Sequence, residues 1–254
     1  NAKKLVQYHL VQKIGSGGMG DVYQAEHQLL KRPCAIKLIR PDKIENENTL
    51  KRFEREVQAT ASLTHPNTVQ VFDFGHAKDG TFYYVMELLC GMSIEDIVRK
   101  FGPLPANRTI HFLRQACSAL REAHNKGLIH RDIKPGNLFV AERGEIYDTI
   151  KILDFGLVRD SLKHSTDMEI TRPGSFCGSP LYMCPEQVNS FELLDARSDI
   201  YSLGAVAYYM LAGRPPFTGT TPMDIIIAHA RDEVSPPSSI RGGIPEQLDK
   251  IVLK

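Results

Sequence analysis

The spacing of apolar residues changes near Gly91, and that change limits what the chain can fold into. Before it, Val22, Cys34 to Ile39, Thr68 to Phe74 and Phe82 to Leu88 are short apolar or β-prone runs separated by glycine, proline or charged turns, the pattern of strands. One segment among them differs: Leu50, Phe53 and Val57 recur at helical spacing, Glu56 lies at the edge of that face, and His65-Pro66-Asn67 closes it. After Gly91 helical spacing prevails. Ile110, Leu113, Cys117 and Leu120 read as one stripe, Ile200 to Gly213 as a buried helix, and Thr221-Pro222 as a capped helix start. Two strand-like pieces, Leu138 to Val140 and Thr149 to Leu153, interrupt this part. From Leu157 to Ser179 no period is visible, and loops of that length in a compact domain usually carry function. The reading is α+β, with a strand-rich part over 8–89 and a mainly helical part over 90–254.

Composition removes several classes. With 254 residues and 42% hydrophobic content the chain can bury a sizeable core. Lysine and arginine total 31 against 30 aspartates and glutamates, so the net charge is +1, and no nucleic acid partner is expected. The five cysteines include no C-x-x-C pair of the zinc-binding kind, and reduced cytosolic thiols are expected. Cys177 and Cys184 are close enough in sequence to leave a redox role as an alternative. The stretch from Ile200 to Gly213 is shorter than the roughly 20 residues that cross a bilayer, so no membrane segment is expected. Asn1 at the start, and a helical pattern of Leu248, Ile251 and Val252 cut short at Lys254, suggest a piece of a longer chain.

Three groups of residues point to chemistry. Gly15-Ser16-Gly17-Gly18-Met19-Gly20 has G-x-G-x-x-G spacing, where missing side chains let backbone N–H groups approach phosphate oxygens. A plain glycine hairpin and a dinucleotide-binding turn are the alternatives, and β-prone Val22-Tyr23 argues against the latter, which needs a helix next. Lys37 lies in the apolar run Cys34-Ala35-Ile36-Lys37, as a solvated edge lysine or as a phosphate ligand steadied by Glu56. The third group is His130-Arg131-Asp132-Ile133-Lys134-Pro135-Gly136-Asn137, followed by Asp154-Phe155-Gly156.

On these motifs, taken in order, the chain from Tyr8 to its end resembles the eukaryotic-like (Hanks-type) serine/threonine protein kinases, and bacterial members most of all. The resemblance implies a bilobal protein kinase fold, with a small five-stranded antiparallel sheet plus one helix over a mainly helical large lobe. It implies ATP and Mg²⁺. The turn from Ile14 through Gly15, Ser16, Gly17, Gly18, Met19 and Gly20 would cover the phosphates, and Lys37, held by Glu56, would reach them. Val22 and Ala35 above and Phe139 below would enclose adenine, with Met86 as gatekeeper and backbone groups of Glu87 and Leu89 bonding its edge. Asn137 and Asp154 would hold magnesium through oxygen. Asp132 would orient the acceptor hydroxyl and take its proton, with Lys134 beside the transferring phosphate.

Lys134 and Gly178-Ser179-Pro180 imply serine and threonine acceptors on protein substrates. Arg131 before Asp132 implies control by phosphate in the segment from Asp154 to Glu186, where Thr171, then Ser175, are the expected autophosphorylation sites ahead of Ser161, Ser165 and Thr166. Met183-Cys184-Pro185-Glu186 departs from the family's Ala-Pro-Glu motif at Cys184, and no arginine suited to Glu186 is seen before Lys254. Asp199-Ile200-Tyr201-Ser202-Leu203-Gly204 resembles the family's central helix. By analogy the small lobe could form a homodimer, and a cytoplasmic kinase could be membrane-tethered by a segment beyond Lys254. The rival readings are a catalytically weak pseudokinase acting as a scaffold, and a small-molecule phosphotransferase.

Overall fold

Two compact units make up the chain, Asn1–Thr64 with Thr68–Cys90, and His65–Asn67 with Gly91–Lys254. The computed structural model describes residues 4–5, 7–18, 20–40, 47–77, 79–155, 180–189 and 194–254. Met19, Gly156, Cys177, the Gly178-Ser179 pair and the candidate phosphorylation sites Ser161, Ser165, Thr166, Thr171 and Ser175 lie outside the described residues.

In the first unit the β-prone runs pair as an antiparallel sheet. Strands β1 (Lys4–Leu5), β2 (Tyr8–Gly17), β3 (Gly20–His27), β4 (Pro33–Ile39), β5 (Val71–His76) and β6 (Phe82–Met86) take the order β1-β2-β3-β4-β6-β5. The five expected strands are there, extended by the two-residue β1. One face buries Leu10, Ala25, Cys34, Ile36, Tyr83 and Val85, and this burial sets the register, since a one-residue slip would turn each of them outward. Helix α1 (Glu47–Ala61) buries Phe53 and Val57 and brings Phe53 to 6.3 Å from the Phe82 ring.

The strand expected from Thr68 begins instead at Val71 and runs to His76. The peptide groups before it are engaged elsewhere. Gln70 N–H donates to the Glu87 carboxylate at 2.9 Å, and Glu87 N–H donates to the Gln70 carbonyl at 3.0 Å. Likewise α1 ends at Ala61, ahead of the expected His65, because His65–Asn67 belongs to the second unit. His65 N–H donates to Glu122, its ring meets Ser118, and the Asn67 amide donates to Gln115 and to the Ile150 carbonyl.

In the second unit a three-stranded sheet, β7 (Cys90–Ser93), β8 (Leu138–Arg143) and β9 (Ile146–Ile152), accompanies the helices. These are α2 (Ile94–Phe101), α3 (Ala106–Asn125), α4 (Glu186–Asn189), α5 (Ala196–Ala212), α6 (Pro222–Arg231), α7 (Pro237–Ile240) and α8 (Glu246–Val252). Helix α5 is the expected buried helix, with Val206, Tyr208 and Leu211 no more than 1% exposed. Asp195 caps its start, and Gly213, in the left-handed region at φ 77°, ends it. Helix α6 begins as expected, Thr221 ahead of Pro222 and Asp224 after it forming a reciprocal capping box.

The stripe expected on α3 needs correction. Its buried face is Thr109, Phe112, Ala116, Ala119, Leu120 and Ala123, whereas Ile110 and Cys117 are exposed. Helices α3 and α5 touch, and small side chains let helix backbones approach closely, so alanines occupy positions that hydropathy alone would give to larger residues.

Candidate active site

The second unit builds a loop held by a series of backbone and side-chain hydrogen bonds. It runs from His130 to the 3₁₀ turn Pro135–Asn137, directly before β8. Arg131 takes a left-handed conformation, φ 65°, which costs an ordinary side chain on the order of 1 kcal/mol and persists only where the surroundings enforce it. They do so through Asp199 on α5, 1% exposed. Its carboxylate accepts from His130 N–H and Arg131 N–H, each at 2.8 Å, and from the His124 ring, also at 2.8 Å. Hydrogen bonds to a buried carboxylate are among the stronger ones available to a protein.

His130 is fully buried and links the loop to the segment beyond β9. Asp132 N–H donates to its Nδ1 at 3.2 Å, so Nε2 carries the proton and donates to the Leu153 carbonyl at 2.8 Å. Its ring lies 4.7 Å from that of Phe155. Leu153 N–H in turn donates to the Asn137 carbonyl at 2.9 Å. Asp154 is thereby set between two anchored neighbours, itself at φ 51°.

Three side chains converge at this point. Lys134 Nζ is 2.7 Å from Asp132 Oδ2, and Asn137 Nδ2 is 3.0 Å from the same oxygen and 2.8 Å from the Asp132 carbonyl. Both partners of Nδ2 are acceptors, which fixes the amide orientation and turns Asn137 Oδ1 away from them as a potential metal ligand. An amide oxygen from Asn137 and the carboxylate of Asp154 are the hard donors that magnesium prefers.

In the first unit Lys37 is on an interior strand and only 5% exposed, which removes the edge-lysine alternative. It pairs in register with Val22 on β3 and Tyr84 on β6. Its Nζ lies 6.0 Å from the Tyr84 ring centroid, the limit of a cation–π contact. Glu56 is partly buried on α1, between the buried Phe53 and Val57.

The glycine turn is the β2–β3 hairpin, Gly15 pairing with Val22 and Gly17 with Gly20, which removes the dinucleotide-binding alternative. At Gly17 and Gly18 an added Cβ would meet nothing within 4 Å, so backbone there is open to a ligand. Gly20 has another purpose: a Cβ there would lie 1.9 Å from the Leu38 carbonyl oxygen. Lys13 and Ser16 both bind Asp21, at 2.8 and 2.7 Å, and hold its carboxyl below the usual range. Ile14 is exposed, Ala35 faces Met86 in the ladder, and Met86, at the end of β6, is buried. Phe139 is partly buried on β8.

Sequence reasoning gave no role to two residues of this site. Asp199 was visible as an acidic residue opening an apolar helix. Gln187, 2% exposed on α4, donates to the Arg131 carbonyl at 3.0 Å; it extends the Pro185-Glu186 motif that carries the family resemblance, but that motif assigns it no partner.

The protein kinase domain family matches residues 8–248. The serine/threonine-protein kinase PknB of Mycobacterium leprae is 38% identical over 98% of this chain, and the serine/threonine-protein kinase pkn3 of Myxococcus xanthus is 35% identical over 98%. The chain spans 39% and 46% of their respective lengths. Among solved structures, a mutant of the Mycobacterium tuberculosis PknI kinase domain superposes with a TM-score of 0.74 at 24% identity, covering 99% of this chain and 87% of that one, a likeness of fold.

Proposed function

The chain belongs to the protein kinase domain family, and from that premise we propose that it transfers the γ-phosphoryl group of Mg·ATP to serine and threonine hydroxyls of protein substrates. The observation that carries this reading is the convergence of Lys134 and Asn137 on the Asp132 carboxylate, at 2.7 and 3.0 Å. Phosphoryl transfer needs alignment and charge balance more than covalent chemistry, and this cluster supplies both. Asp132 accepts a hydrogen bond from the substrate hydroxyl, turns its oxygen toward phosphorus and takes its proton. Lys134 moves from Asp132 toward the phosphoryl oxygens as charge shifts during transfer. Magnesium, held by Asn137 Oδ1 and Asp154, would neutralise charge on the phosphates.

The first unit supplies nucleotide recognition. Gly17 and Gly18 offer backbone N–H groups to phosphate, and Lys37, braced by Glu56, adds a positive charge. Val22 and Ala35 contribute apolar surface for adenine in this unit, and Phe139 is the apolar contributor proposed from the second unit. Glu87 N–H is engaged by Gln70, so its carbonyl and Leu89 N–H are the groups suited to the adenine edge. Met86, buried at the end of β6, is the proposed gatekeeper.

Arg131 makes the enzyme responsive to phosphate on Thr171 or Ser175, two sites to be sought by phosphopeptide mapping of active enzyme. Mapping that found neither modified would remove this regulatory claim. Serine/threonine specificity rests on Lys134 and on the names of the relatives. The four cysteines among the described residues are free, and this and a need for ATP favour a cytoplasmic catalytic domain.

The test is incubation with γ-labelled ATP, Mg²⁺ and a generic protein substrate, beside Asp132→Asn. The variant should lose roughly 10² to 10⁴ in rate, the range for a positioned proton acceptor. Equal labelling by both proteins would refute the role of Asp132. Labelled phosphotyrosine in place of phosphoserine and phosphothreonine would refute the substrate class.

A further inference from the structure

The peptide plane between Arg131 and Asp132 is gripped at both ends. Its N–H, on Asp132, donates to His130 Nδ1 at 3.2 Å. Its carbonyl, on Arg131, accepts from Gln187 Nε2 at 3.0 Å. Rotating this plane would swing the Asp132 side chain, and Arg131, at φ 65°, offers little intrinsic resistance to relaxing toward commoner geometry.

The grip on the carbonyl is itself well defined. Cys184 N–H donates to Gln187 Oε1 at 3.1 Å, so the amide has an acceptor on one side and a donor on the other and admits one orientation. Gln187 N–H also donates to the Cys184 carbonyl at 3.1 Å. At 2% exposure, Gln187 meets little competition from water. Pro185 and Glu186 before it are partly exposed and exposed, so the chain turns outward after the buried Cys184 and brings Gln187 back inside.

We propose that Gln187 is a positioning residue of the transfer reaction: by holding the Arg131 carbonyl it fixes the peptide plane that carries Asp132. This rests on the reading of Asp132 as proton acceptor. The inference also ties the segment 180–189 to that carboxylate by one short path, from Cys184 through the Gln187 amide to Arg131. A glutamate here would keep the length and the acceptor for Cys184 N–H but would present no N–H to the Arg131 carbonyl. A methionine would remove both bonds while nearly preserving volume.

The experiment is a double-mutant cycle on the whole chain, with kcat, KM for ATP and thermal stability measured for Gln187→Met, Gln187→Glu, Asp132→Asn and the two pairs. If Gln187 acts through Asp132, each single Gln187 variant loses about 10²-fold in kcat, the scale of a displacement near 1 Å, with KM for ATP unchanged. In the Asp132→Asn background the same changes should then have no further effect. A full additional loss in that background, or wild-type kcat in the Gln187 variants, overturns the proposal. Should the methionine variant fail to fold, the glutamate variant carries the cycle, and its unfolding as well would show a structural role and overturn the proposal. Failure of the underlying reading looks different: Asp132→Asn would retain wild-type rate whatever happens at Gln187.

Discussion

Asp199 is the acidic residue on which the reactive loop hangs, and its carboxylate has no neutral substitute. In Asp199→Asn one amide oxygen would have to replace two carboxylate oxygens that receive two backbone N–H groups and the His124 ring. We expect a loss of roughly 1–3 kcal/mol in unfolding free energy, measured by urea denaturation, because a buried donor is left facing an NH₂ group. At this scale the sequence was informative wherever chemistry restricts residue type. Asp132, Lys134 and Asn137 come together as expected, and Lys37 lies buried on its strand. Gln187 was illegible for a physical reason: a glutamine amide suits a surface as well as a buried bridge, and only the backbone groups around it decide which.

Elements were legible as types, and less so in their boundaries and facing. Strand and helix order follow the change in period at Gly91, but β5 begins three residues later than expected, since Gln70 and Glu87 exchange their backbone and side-chain bonds first. On α3 the apolar stripe was misplaced because alanine contributes little to a hydropathy pattern while deciding how near two helices come. Cys117→Ser should therefore change stability by no more than about 0.5 kcal/mol, whereas Ala119→Leu should cost about 1–3 kcal/mol by overpacking; thermal unfolding of the two variants checks both. Gly20 was read as a phosphate-facing glycine, and its conformational burden belongs to the sheet. Gly20→Ala, with a Cβ 1.9 Å from the Leu38 carbonyl oxygen, must separate β3 from β4. It should lower stability by about 1–3 kcal/mol even without nucleotide, whereas Gly18→Ala should be nearly neutral in the same measurement.

For the whole molecule, the partly buried His65 and the buried His229 contribute to the acid side of stability. Burial holds His65 and His229 below their ordinary value of 6.5, partly offset by the Glu122 charge at His65 and by the Leu181 and Pro180 carbonyls at His229. The unfolded chain then binds more protons than the native one between the lowered values and 6.5, so their contribution is complete above about pH 6.5 and is lost as pH falls through the folded values. Thermal unfolding should shift to lower temperature between about pH 7.5 and about pH 5.5, and the shift should shrink in His65→Gln combined with His229→Gln. A pH-independent midpoint in the parent chain would contradict this. Among the described residues, no helix is long and apolar enough to cross a membrane.

The burial of Asp199 inside α5 also decides how a silent allele should be chosen. Disabling that position would lower protein abundance together with the proposed transferase activity, so a phenotype could reflect either. Replacing Asp132, a partly buried loop residue bonded to Lys134 and Asn137, should leave the polypeptide in place while removing the proton acceptor of the proposed reaction, and any scaffolding role would then be seen by itself.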